Sequence, residues 1–520
     1  MDELEAKFLL TGDNGRSRRR HKSLRRLLQE LFWAGYAVVP KETIRIRDIY
    51  YDTPDWHLQR AGWSLRSRIG NGCAVITCKQ IGVSRTGMFE RQEIEQTLFD
   101  DDWDINQLST GDVTELLKSL RPAGTEVAAL FKLRNTRIRY QLSHRDYPRS
   151  QMDLSMDAVR IHSNTDLEFV EFECELVRGP ANAMAPAIAV LRQQPSLLRA
   201  RVSKYQRGLQ ASGDDLKSGL VQLELPRSPS ANWATLGLLH LRAQAQQLKY
   251  HEPLAWEGLH VEGVHEMRVA TRRVRAALQV FANVFPRVEA NALSSEIGWL
   301  GRILGRVRDF DVHLVDLARY KQQLRRKDAR GLAAYQRRLQ ANRRLAHANL
   351  IRALTSDRYR ALPDKFRALR EAHMSLPESQ QTIEETAYLI VKPQLRAIRK
   401  RGRKISAWSP HDALHRLRIE IKRLRYQLEY LAEPYGKPLA AATIKLRRLL
   451  QTLGNHQDAC VARDQLKVYC ARHKLKSREK RAIEKLLLFE RSHVRKHRKQ
   501  FAKDWRKFEA EARQLKKVFS

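Results

Sequence analysis

Polar and apolar residues alternate along several short stretches within the first 210 residues of the chain. The first reads Glu-Leu-Glu-Ala-Lys-Phe over residues 3–8. The same two-residue step recurs in four later stretches, whose polar members are Arg66 with Arg68, Arg91 with Glu93 and Glu95, Asp153 with Asp157, and Glu171 with Glu173 and Glu175. Because successive side chains of a strand point to opposite faces, each stretch predicts a strand with one charged face. Several such strands predict a sheet closed on a polar interior.

After residue 230 the apolar residues follow a helical period instead. Met267, Thr271, Val274, Leu278 and Phe281 are spaced as one face of an amphipathic helix, and residues 417–431 repeat the spacing. Residues 212–230 are rich in Ser, Gly, Asp and Pro, which is typical of a linker. We therefore predict an α+β domain over residues 1–211, a linker over 212–230 and an all-α domain over 231–520.

The helical part contains an internal repeat. HEMRVATRRVRAAL begins at His265, and HRLRIEIKRLRYQL begins 150 residues later at His415. LGRVRDFDV begins at Leu304, and LGNHQDACV begins 149 residues later at Leu453. Repeat units of solenoids span only about 20–50 residues, so this period indicates two copies of a helical bundle. We place the copies at about residues 231–380 and 381–520 and expect an approximate two-fold axis between them.

Charge is distributed unevenly along the chain, whose formal net charge is +38. Residues 1–230 hold 34 basic and 30 acidic side chains, a net charge of +4. Residues 231–520 hold 62 basic and 28 acidic side chains, a net charge of +34. A field of this size calls for a polyanionic partner such as nucleic acid, an acidic membrane surface or polyphosphate.

Cysteine usage and the N-terminal residues indicate in which cellular compartment we expect the protein. The five cysteines form no C-x-x-C pair, so we expect neither a disulfide framework nor a zinc site, and a reducing cytoplasm fits. The acidic N-terminal residues do not resemble a signal peptide, and no apolar run approaches the roughly 18 residues of a membrane span. We expect a cytoplasmic protein, with polyphosphate granules as one location considered.

The charged strand faces combine the two residue types that a metal-assisted phosphate site needs. Carboxylates bind hard cations such as Mg²⁺ or Mn²⁺, and Arg and Lys bind phosphate oxygens. Phosphoryl transfer depends mainly on positioning and charge neutralisation, so the site needs no nucleophilic side chain. The candidate acids are Glu3, Glu5, Glu93, Asp157, Glu171 and Glu173, and the candidate bases are Lys7, Arg66, Arg68, Lys79, Arg91, Arg134 and Lys204.

Residues 1–210 resemble the CYTH domain, the fold of the triphosphate tunnel metalloenzymes. The resemblance rests on an ordered set of motifs: E-x-E-x-K at residues 3–7, LRSR at 65–68, ITCK at 76–79, ERQEIE at 90–95, VEFECEL at 170–176 and SK…RG at 203–208. It implies an eight-stranded antiparallel tunnel that acts on triphosphates with Mg²⁺ or Mn²⁺. We expect metal ligands at Glu3, Glu5, Asp157, Glu171 and Glu173, and catalytic roles for Glu3, Glu5, Lys7, Glu93 and Lys204.

Each copy of the helical repeat carries a basic face beside its apolar stripe. His265, Arg268, Arg272 and Arg275 fall on one narrow face of a helix, and the second copy repeats this face. Nucleic acid is the rival partner, but the faces hold few aromatic residues and no nucleic-acid-binding motif. The candidate polyphosphate-binding residues are His265, Arg268, Arg272, Arg273, Arg275, His415, Arg418, Lys422, Arg423 and Arg425.

Residues 231–520 resemble the CHAD domain, a helical domain that often follows CYTH. The H-x-x-R motifs at His265 and His415 and the L-G-x-x-x-D motifs ending at Asp309 and Asp458 carry this resemblance. It implies two four-helix bundles around a basic cavity that binds inorganic polyphosphate. We therefore expect an inorganic triphosphatase joined to a polyphosphate-binding domain. A class IV-type adenylyl cyclase, a thiamine triphosphatase and a non-catalytic polyphosphate-binding or granule-targeting protein are the alternatives, and the oligomeric state stays open.

Overall fold

The computed structural model describes residues 2–11, 17–82, 84, 88–98, 104–163, 166–213, 224–375, 381–406 and 408–518. The chain forms two compact units. The first unit comprises Met1–Val221 and Lys249–Gly263, and the second comprises Gln222–Leu248 and Val264–Ser520. The domain boundaries predicted at residues 211 and 231 stay a prediction, and ten residues of the predicted linker, 214–223, lie outside the described residues.

An antiparallel barrel forms the centre of the first unit. Its strands are β1 (Asp2–Leu10), β2 (Tyr36–Asp52), β3 (Trp63–Gly70), β4 (Cys73–Gln80), β5 (Met88–Leu98), β6 (Ala128–His144), β7 (Tyr147–His162) and β8 (Leu167–Arg178). They pair in the order β5-β4-β3-β2-β6-β7-β8-β1, and β1 pairs again with β5 to close the barrel. A short strand, β9 (Leu197–Arg199), adds to the edge of β1. The predicted eight-stranded fold is therefore confirmed.

Helices pack against the barrel. They are α1 (Ser17–Trp33), α2 (His57–Arg60), α3 (Asp112–Leu120), α4 (Ala185–Gln193) and α5 (Lys204–Ser212), with a 3₁₀ helix at Ala181–Met184. Of these, α5 lies against interior residues, because Lys204 contacts Asp157 and Tyr205 packs in one cluster with Leu9. The apolar face of β1 packs Phe8 against Leu27 and Leu31 of α1 and Leu191 of α4. Burying each of these side chains stabilises the fold by about 2 kcal/mol. The apolar strand faces thus point outward to the helices, which leaves the charged faces pointing into the barrel.

The turn between β3 and β4 shows how local sequence sets the register of the barrel. Asn71 and Gly72 connect the two strands with φ values of 51° and 78°. Two successive residues with positive φ form the turn that matches the twist of a hairpin, and Asn-Gly adopts it at low cost. This hairpin places Arg68 opposite Val75 and Arg66 opposite Thr77.

After α5 the described chain is helical. The helices are α6 (Trp233–Glu257), α7 (Val261–Val280), α8 (Arg287–Gln322), α9 (Arg326–Gly331), α10 (Ala333–Thr355), α11 (Asp357–Arg360), α12 (Leu362–Met374), α13 (Ile383–Gly402), α14 (His411–Tyr430), α15 (Ala432–Tyr435), α16 (Lys437–Arg472) and α17 (Ser477–Val518). The predicted all-α class is confirmed. None of the described helices combines the length and the apolar character needed to span a membrane.

The repeated motifs lie on helices of matching length. The His265 and His415 motifs lie on α7 and α14, which have 20 residues each. The Leu304 and Leu453 motifs lie on α8 and α16, which have 36 residues each. The internal repeat in the sequence therefore corresponds to a repeat of helical elements.

Candidate functional site

The barrel interior begins with the charged face of β1. The pairing register places Glu3 of β1 opposite Arg91 of β5, and Lys7 opposite Glu173 of β8. Arg91 also forms an ion pair with Glu5, which is only 2% exposed. Because an isolated charge is costly to bury, side chains in this position have to be paired. The predicted E-x-E-x-K residues thus share one buried, ion-paired surface.

A first group of acids and bases surrounds Lys79 of β4. Its Nζ forms ion pairs with Glu3, with Glu5 at 3.7 Å and with Glu93 at 2.9 Å. Nη2 of Arg66 lies 3.0 Å from Oε1 of Glu93. Burial acts to raise the pKa of Glu93, but Arg66 and Lys79 outweigh it and lower this pKa to about 2. Glu93 is therefore ionised at neutral pH and holds two bases in place.

A second group surrounds Lys204 at the start of α5. Its Nζ lies 2.8 Å from Asp157, 3.0 Å from Glu171 and 2.6 Å from Glu173. Arg137 of β6 donates two hydrogen bonds to Asp157, of 2.8 and 2.7 Å, and one of 2.5 Å to Glu173. Burial raises the pKa of Asp157, but Arg137 and Lys204 together lower it to about 2. These carboxylates are held in fixed positions by two cations.

Lys7 joins the two groups into one network. Its Nζ lies 2.9 Å from Oε2 of Glu5 and 2.6 Å from Oε1 of Glu173. The network therefore brings together these predicted site residues: Glu3, Glu5, Lys7, Arg66, Lys79, Arg91, Glu93, Asp157, Glu171, Glu173 and Lys204. Residues that are up to 201 positions apart in sequence meet because the barrel is closed.

Arg134 does not join this network, which corrects its predicted role. It is exposed on β6, whereas Arg137 three residues later contacts the interior acids. Residues three apart on a strand point to opposite faces, so the two side chains cannot both point inward. Arg137 is the interior base that the sequence analysis missed, although its alternation with Ile138 and Arg139 follows the same two-residue step.

Arg68 lies in the barrel but has its own partner. Its Nε and Nη2 each donate a 2.9 Å hydrogen bond to Asp48, a buried residue of β2 that the sequence analysis did not select. Burial raises the pKa of Asp48, but the adjacent Arg68 outweighs it and leaves this pKa below its usual value. Arg68 and the network meet at a cavity of about 300 Å³, whose charged lining residues are Arg68, Arg137, Arg139, Asp153, Glu173 and Glu175.

Acidic side chains outweigh bases at one place in the interior. Glu5 of β1 stands directly opposite Glu175 of β8. Burial, and then the charges of Glu3, Glu5 and Glu173, raise the pKa of Glu175 to about 7. Burial and the charge of Glu5 also raise the pKa of Glu3. Like charges directly opposite each other destabilise a sheet, so this cluster favours an added positive charge.

The donor set of this cluster fits a divalent cation. Glu3, Glu5 and Glu175 offer carboxylate oxygens, the ligands that Mg²⁺ and Mn²⁺ prefer. Glu173, Asp157 and Glu171, also predicted as metal ligands, each contact Lys204 instead. Glu175 is the acid that the sequence analysis left out of its ligand set, although it continues the alternation of Glu171 and Glu173.

The second unit contains a basic cavity of about 590 Å³. Its basic lining residues are Arg268, Arg272, Arg275, Arg302 and Arg306. The first three are the predicted face of α7. Arg302 and Arg306 come from α8, and the sequence analysis did not select them, although they stand four residues apart on one helical face. Five guanidinium groups around one cavity form a site for a polyanion.

Gly305 of α8 lies against a basic residue of the cavity. A Cβ added to Gly305 would lie 2.9 Å from Nη1 of Arg268, so a side chain here would displace this guanidinium group. In the second copy a Cβ added to Gly454 would lie 3.7 Å from Nη2 of Arg418, which is an ordinary van der Waals contact. The glycine of the L-G motif thus lies beside the Arg of the H-x-x-R motif in both copies, and its missing side chain affects the Arg only in the first.

The basic faces of the two copies lie close together. The Oη of Tyr430 on α14 donates a 2.7 Å hydrogen bond to the carbonyl oxygen of Arg273 on α7. Burial, and then the charges of Arg418, Arg272 and Arg268, lower the pKa of Lys422 to about 7. Two of those three cations belong to the first copy, so Lys422 experiences the charge of both faces.

Three of the ten predicted polyphosphate-binding residues, Arg268, Arg272 and Arg275, line the described cavity. The other seven are not among its lining residues: His265, Arg273, His415, Arg418, Lys422, Arg423 and Arg425. Arg273 and Arg423 each follow a residue of the basic helix face by one position, a rotation of about 100° around the helix. Arg273 lies 3.8 Å from Glu429, and Arg423 is exposed. His265 lies 3.6 Å from Glu266, a carboxylate that would oppose a bound anion.

His415 has a neutral partner. Its Nδ1 lies 3.1 Å from Oε1 of Gln457 on α16. The two repeat histidines therefore occupy different surroundings, one acidic and one neutral, although their sequence motifs match. Neither lines the described cavity.

Comparison with known families agrees with both sites. The CYTH domain model matches residues 1–208, and the CHAD domain model matches residues 239–467. The chain is a CYTH–CHAD protein. CYTH enzymes act on triphosphates with the help of a metal ion, so the family assignment agrees with the acid-and-base network of the barrel. The assignment leaves open which triphosphate and which metal this CYTH–CHAD protein uses.

Solved structures of each half are similar to this CYTH–CHAD protein. The CHAD domain from the plant Ricinus communis is 25% identical, covers 57% of this chain and 96% of its own, and has a TM-score of 0.46. A protein from Hippeastrum, described as a putative adenylyl cyclase with a dominant triphosphatase activity, is 16% identical, covers 40% of this chain and 95% of its own, and has a TM-score of 0.29. Because both scores are below 0.5, the assignment rests on the family models.

Proposed function

We propose that the barrel hydrolyses inorganic triphosphate with Mg²⁺ or Mn²⁺, and that the helical region binds inorganic polyphosphate. One observation carries the first part: buried carboxylates and bases form a single continuous network in the barrel interior, joined through Lys7. Acids alone would suit a cation store, and bases alone would suit an anion-binding protein. A network of both suits a chain of phosphates bound together with a metal ion.

The bases of the network would hold the substrate. Lys7, Lys79 and Lys204 are each fixed by two or more carboxylates, so their ammonium groups are held in place before a phosphate arrives. Arg66, Arg91 and Arg137 add planar donors that match phosphate oxygens. Glu3, Glu5 and Glu175 would hold the metal ion. A bound Mg²⁺ or Mn²⁺ neutralises phosphate charge and lowers the pKa of a coordinated water.

Glu93 would position two of the phosphate-binding bases. Its pKa of about 2 makes it a poor proton acceptor at neutral pH, which argues against a role as general base. Its contacts with Arg66 and Lys79 instead position two phosphate-binding groups. Glu93, which the sequence predicts to be catalytic, would thus act as a positioning residue.

Parallel assays of the purified full chain test the proposed activity. Inorganic triphosphate, ATP, thiamine triphosphate and long-chain polyphosphate are offered separately with Mg²⁺ or Mn²⁺, and the products are measured. We expect inorganic triphosphate to give the highest kcat/KM. Cyclic AMP as the main product from ATP would support the adenylyl cyclase alternative, and a higher kcat/KM for thiamine triphosphate would support that alternative. Binding without turnover would favour a non-catalytic role.

Polyphosphate binding rests on the arginine-lined cavity of about 590 Å³ and on the net charge of +34 carried by residues 231–520. A linear inorganic polyanion needs charge without base-stacking groups, which distinguishes it from nucleic acid. Titration of the full chain with polyphosphate and with duplex DNA, each at several salt concentrations, tests this part. We expect tighter binding of polyphosphate and a steep fall of affinity with salt. Tighter binding of duplex DNA would contradict the proposal.

A further inference from the structure

A segment that lies beyond the barrel strands in sequence belongs to the first compact unit, which contains the barrel. Lys249–Gly263 lies in the first compact unit, yet the CYTH match ends at residue 208 and the CHAD match has begun at residue 239. The segment includes the last turns of α6. Its contacts with the barrel lead to the candidate triphosphate site.

Glu257 of this segment is buried against the start of α5. Its Oε1 accepts hydrogen bonds from the backbone N–H groups of Arg201 at 2.8 Å and Val202 at 3.1 Å. Nε of Arg207 donates to Oε2 at 2.7 Å, and Nη2 of Arg207 donates to Oε1 at 3.0 Å. Glu257 therefore fixes both the turn before α5 and the guanidinium group of Arg207.

Arg207 also contacts Glu171, a residue of the network. Its Nη1 donates a 2.9 Å hydrogen bond to Oε1 of Glu171, whose Oε2 lies 3.0 Å from Nζ of Lys204. Arg207 is 1% exposed and Glu171 is 0% exposed. Since burying a charge is costly, Arg207 depends on the two carboxylates between which it lies.

We propose that Glu257 is a positioning residue of the triphosphate site, acting through Arg207 on Glu171 and Lys204. This inference rests on the proposed function. Without the Glu257 carboxylate, the buried Arg207 would keep Glu171 as its only carboxylate partner in the described structure, and Glu171 would be drawn away from Lys204. The barrel site is thus completed by a residue that the CYTH match does not include.

The same segment supplies a matched control. Oε1 of Glu252 accepts a 2.6 Å hydrogen bond from Arg201, whose guanidinium group lies 3.5 Å from the ring centre of Trp256. Nε1 of Trp256 donates to the carbonyl oxygen of Arg199 at 3.0 Å. Glu252 is buried in an ion pair like Glu257, but its contact leads to Arg201 and not to Arg207. Loss of either acid removes a buried ion pair, and Glu257 is the one of the two that contacts Arg207.

The full chain with Glu257→Gln is compared with Glu252→Gln. Three quantities are measured for each: the unfolding temperature, the affinity for inorganic triphosphate by calorimetry in excess chelator, and kcat and KM for inorganic triphosphate. We expect Glu257→Gln to lower kcat/KM and weaken triphosphate binding by about 10–100-fold, because Lys204, one of the bases that would hold the substrate, loses its supporting contact. Glu252→Gln should keep both within about twofold, even where its unfolding temperature falls by a similar amount.

Several results would overturn this inference. Wild-type kinetics and triphosphate affinity in Glu257→Gln would do so, and so would equal losses in both variants. Should Glu257→Gln not fold, Glu257→Asp keeps the charge and shortens its reach, and it must then show weaker triphosphate binding. If the unaltered protein does not hydrolyse triphosphate, the proposed function fails, and triphosphate affinity still decides the role of Glu257.

A second, independent observation concerns the helical repeat. His411 at the start of α14 and His456 and Cys460 of α16 place their ligand atoms within 4.8 Å of one another. Sγ of Cys460 lies 4.0 Å from Nε2 of His456. Nδ1 of His411 is buried and has no hydrogen-bond partner among the described residues. The first copy has Val261, Val307 and Asp311 at the corresponding positions, so the cluster occurs in one copy only.

We infer that His411, His456 and Cys460 bind a transition metal ion of the zinc class. Two imidazoles and one thiolate are ligands that such ions prefer, whereas the hard cation of the barrel prefers oxygen. Nε of Arg498 donates to Nε2 of His456 at 3.3 Å, which shows the unprotonated nitrogen that a metal ligand requires. This contact would give way to the metal. The spacing of the five cysteines alone had predicted no zinc site.

Titration of the full chain with Co²⁺ tests this site, because a thiolate bound to Co²⁺ has a charge-transfer absorption that oxygen ligands do not produce. We expect this absorption to saturate at one equivalent of Co²⁺ and to disappear when Zn²⁺ displaces Co²⁺. It should be absent in Cys460→Ser and in His411→Ala. Cys470→Ser, on the same helix, is the control and should keep it. Absence of the thiolate absorption in the unaltered protein, or its persistence in Cys460→Ser, would overturn the inference.

Discussion

Glu5 of β1 and Glu175 of β8 stand directly opposite each other in the barrel. Lys7 and Arg91 compensate Glu5, whereas burial and the neighbouring acids raise the pKa of Glu175 to about 7. Basic side chains thus compensate the charge of most acids in the network, but they do not compensate the charge of Glu5 and Glu175 together. A divalent cation would restore the balance, and this relationship makes the barrel a candidate metal site.

Glu5→Ala should abolish triphosphate hydrolysis, because it removes a carboxylate that contacts Lys7, Lys79 and Arg91 at once. We expect kcat/KM to fall by at least about 100-fold, as for loss of a central electrostatic group. Glu90→Ala, an exposed acid on β5, is the control and should keep wild-type activity. Undiminished phosphate release by the Glu5 variant would exclude the metal-binding role of Glu5.

Arg137→Ala should impair hydrolysis, and Arg134→Ala should not. Arg137 contacts Asp157 and Glu173 in the interior, while Arg134 on the same strand is exposed. Removing Arg137 leaves two buried carboxylates short of a cation, so we also expect a loss of roughly 3–5 kcal/mol in the free energy of unfolding. Kinetics and denaturant unfolding of the two variants check this prediction. Equal effects of the two substitutions on activity and stability would contradict the orientation of β6 in which Arg137 points inward and Arg134 points outward.

Lys422 should make polyphosphate binding depend on pH. Burial and the neighbouring Arg418, Arg272 and Arg268 lower its pKa to about 7, so the side chain is neutral above this pH and charged below it. A bound polyanion favours the charged form. Affinity should therefore rise as the pH falls from 8 towards 7, by up to about tenfold per unit where one proton is taken up, and level off below 7, where Lys422 is charged before binding. Lys422→Arg stays charged and should lack this part of the pH dependence.

Arg302 and Arg306 should contribute to polyphosphate binding through the cavity. Replacing both with Ala should reduce the slope of log affinity against log salt by about 2, since each removed phosphate contact releases one counterion fewer. Replacing Arg273 and Arg423 with Ala removes the same two charges from positions that do not line the cavity, and we expect no such change in slope. Equal slopes in the two variants would indicate that net charge alone binds polyphosphate.

Both basic faces should serve one long chain. Replacing Arg268, Arg272 and Arg275 with Ala should weaken binding of long polyphosphate almost as much as replacing the faces of both copies, because a chain held by one face is kept close to the other. Short chains should lose about half their sites and keep their affinity at the intact face. Calorimetry separates the two cases. A halved stoichiometry at unchanged affinity for long chains would mean that the faces act independently.

Alternation along strands made much of the barrel site predictable. Glu3, Glu5 and Lys7 share a face in any register, because the period of a strand is two. Arg134 and Arg137 lie on opposite faces of β6, so only one of them can face the barrel interior. The alternation alone does not say which one does. Arg137 became identifiable only when pairing placed it opposite Asp157.

Other features depend on contacts that no local pattern shows. Glu257 meets Arg207 across 50 positions, and the last turns of its helix are buried on all sides, so no polar face marks this residue. The angle of 100° per residue, by contrast, was enough to separate Arg273 from Arg272, so this error was avoidable. Helical periodicity therefore predicts faces reliably, while burial of single charged residues has to come from the tertiary structure.

Metal-dependent hydrolysis in the barrel is tested most directly by the initial rate of phosphate release from inorganic triphosphate by the purified full chain, measured in excess chelator and after restoring Mg²⁺ or Mn²⁺. We expect no turnover in chelator and recovery of the full rate with one of these ions. An undiminished rate in excess chelator, or no phosphate release with either ion, would contradict metal-dependent hydrolysis.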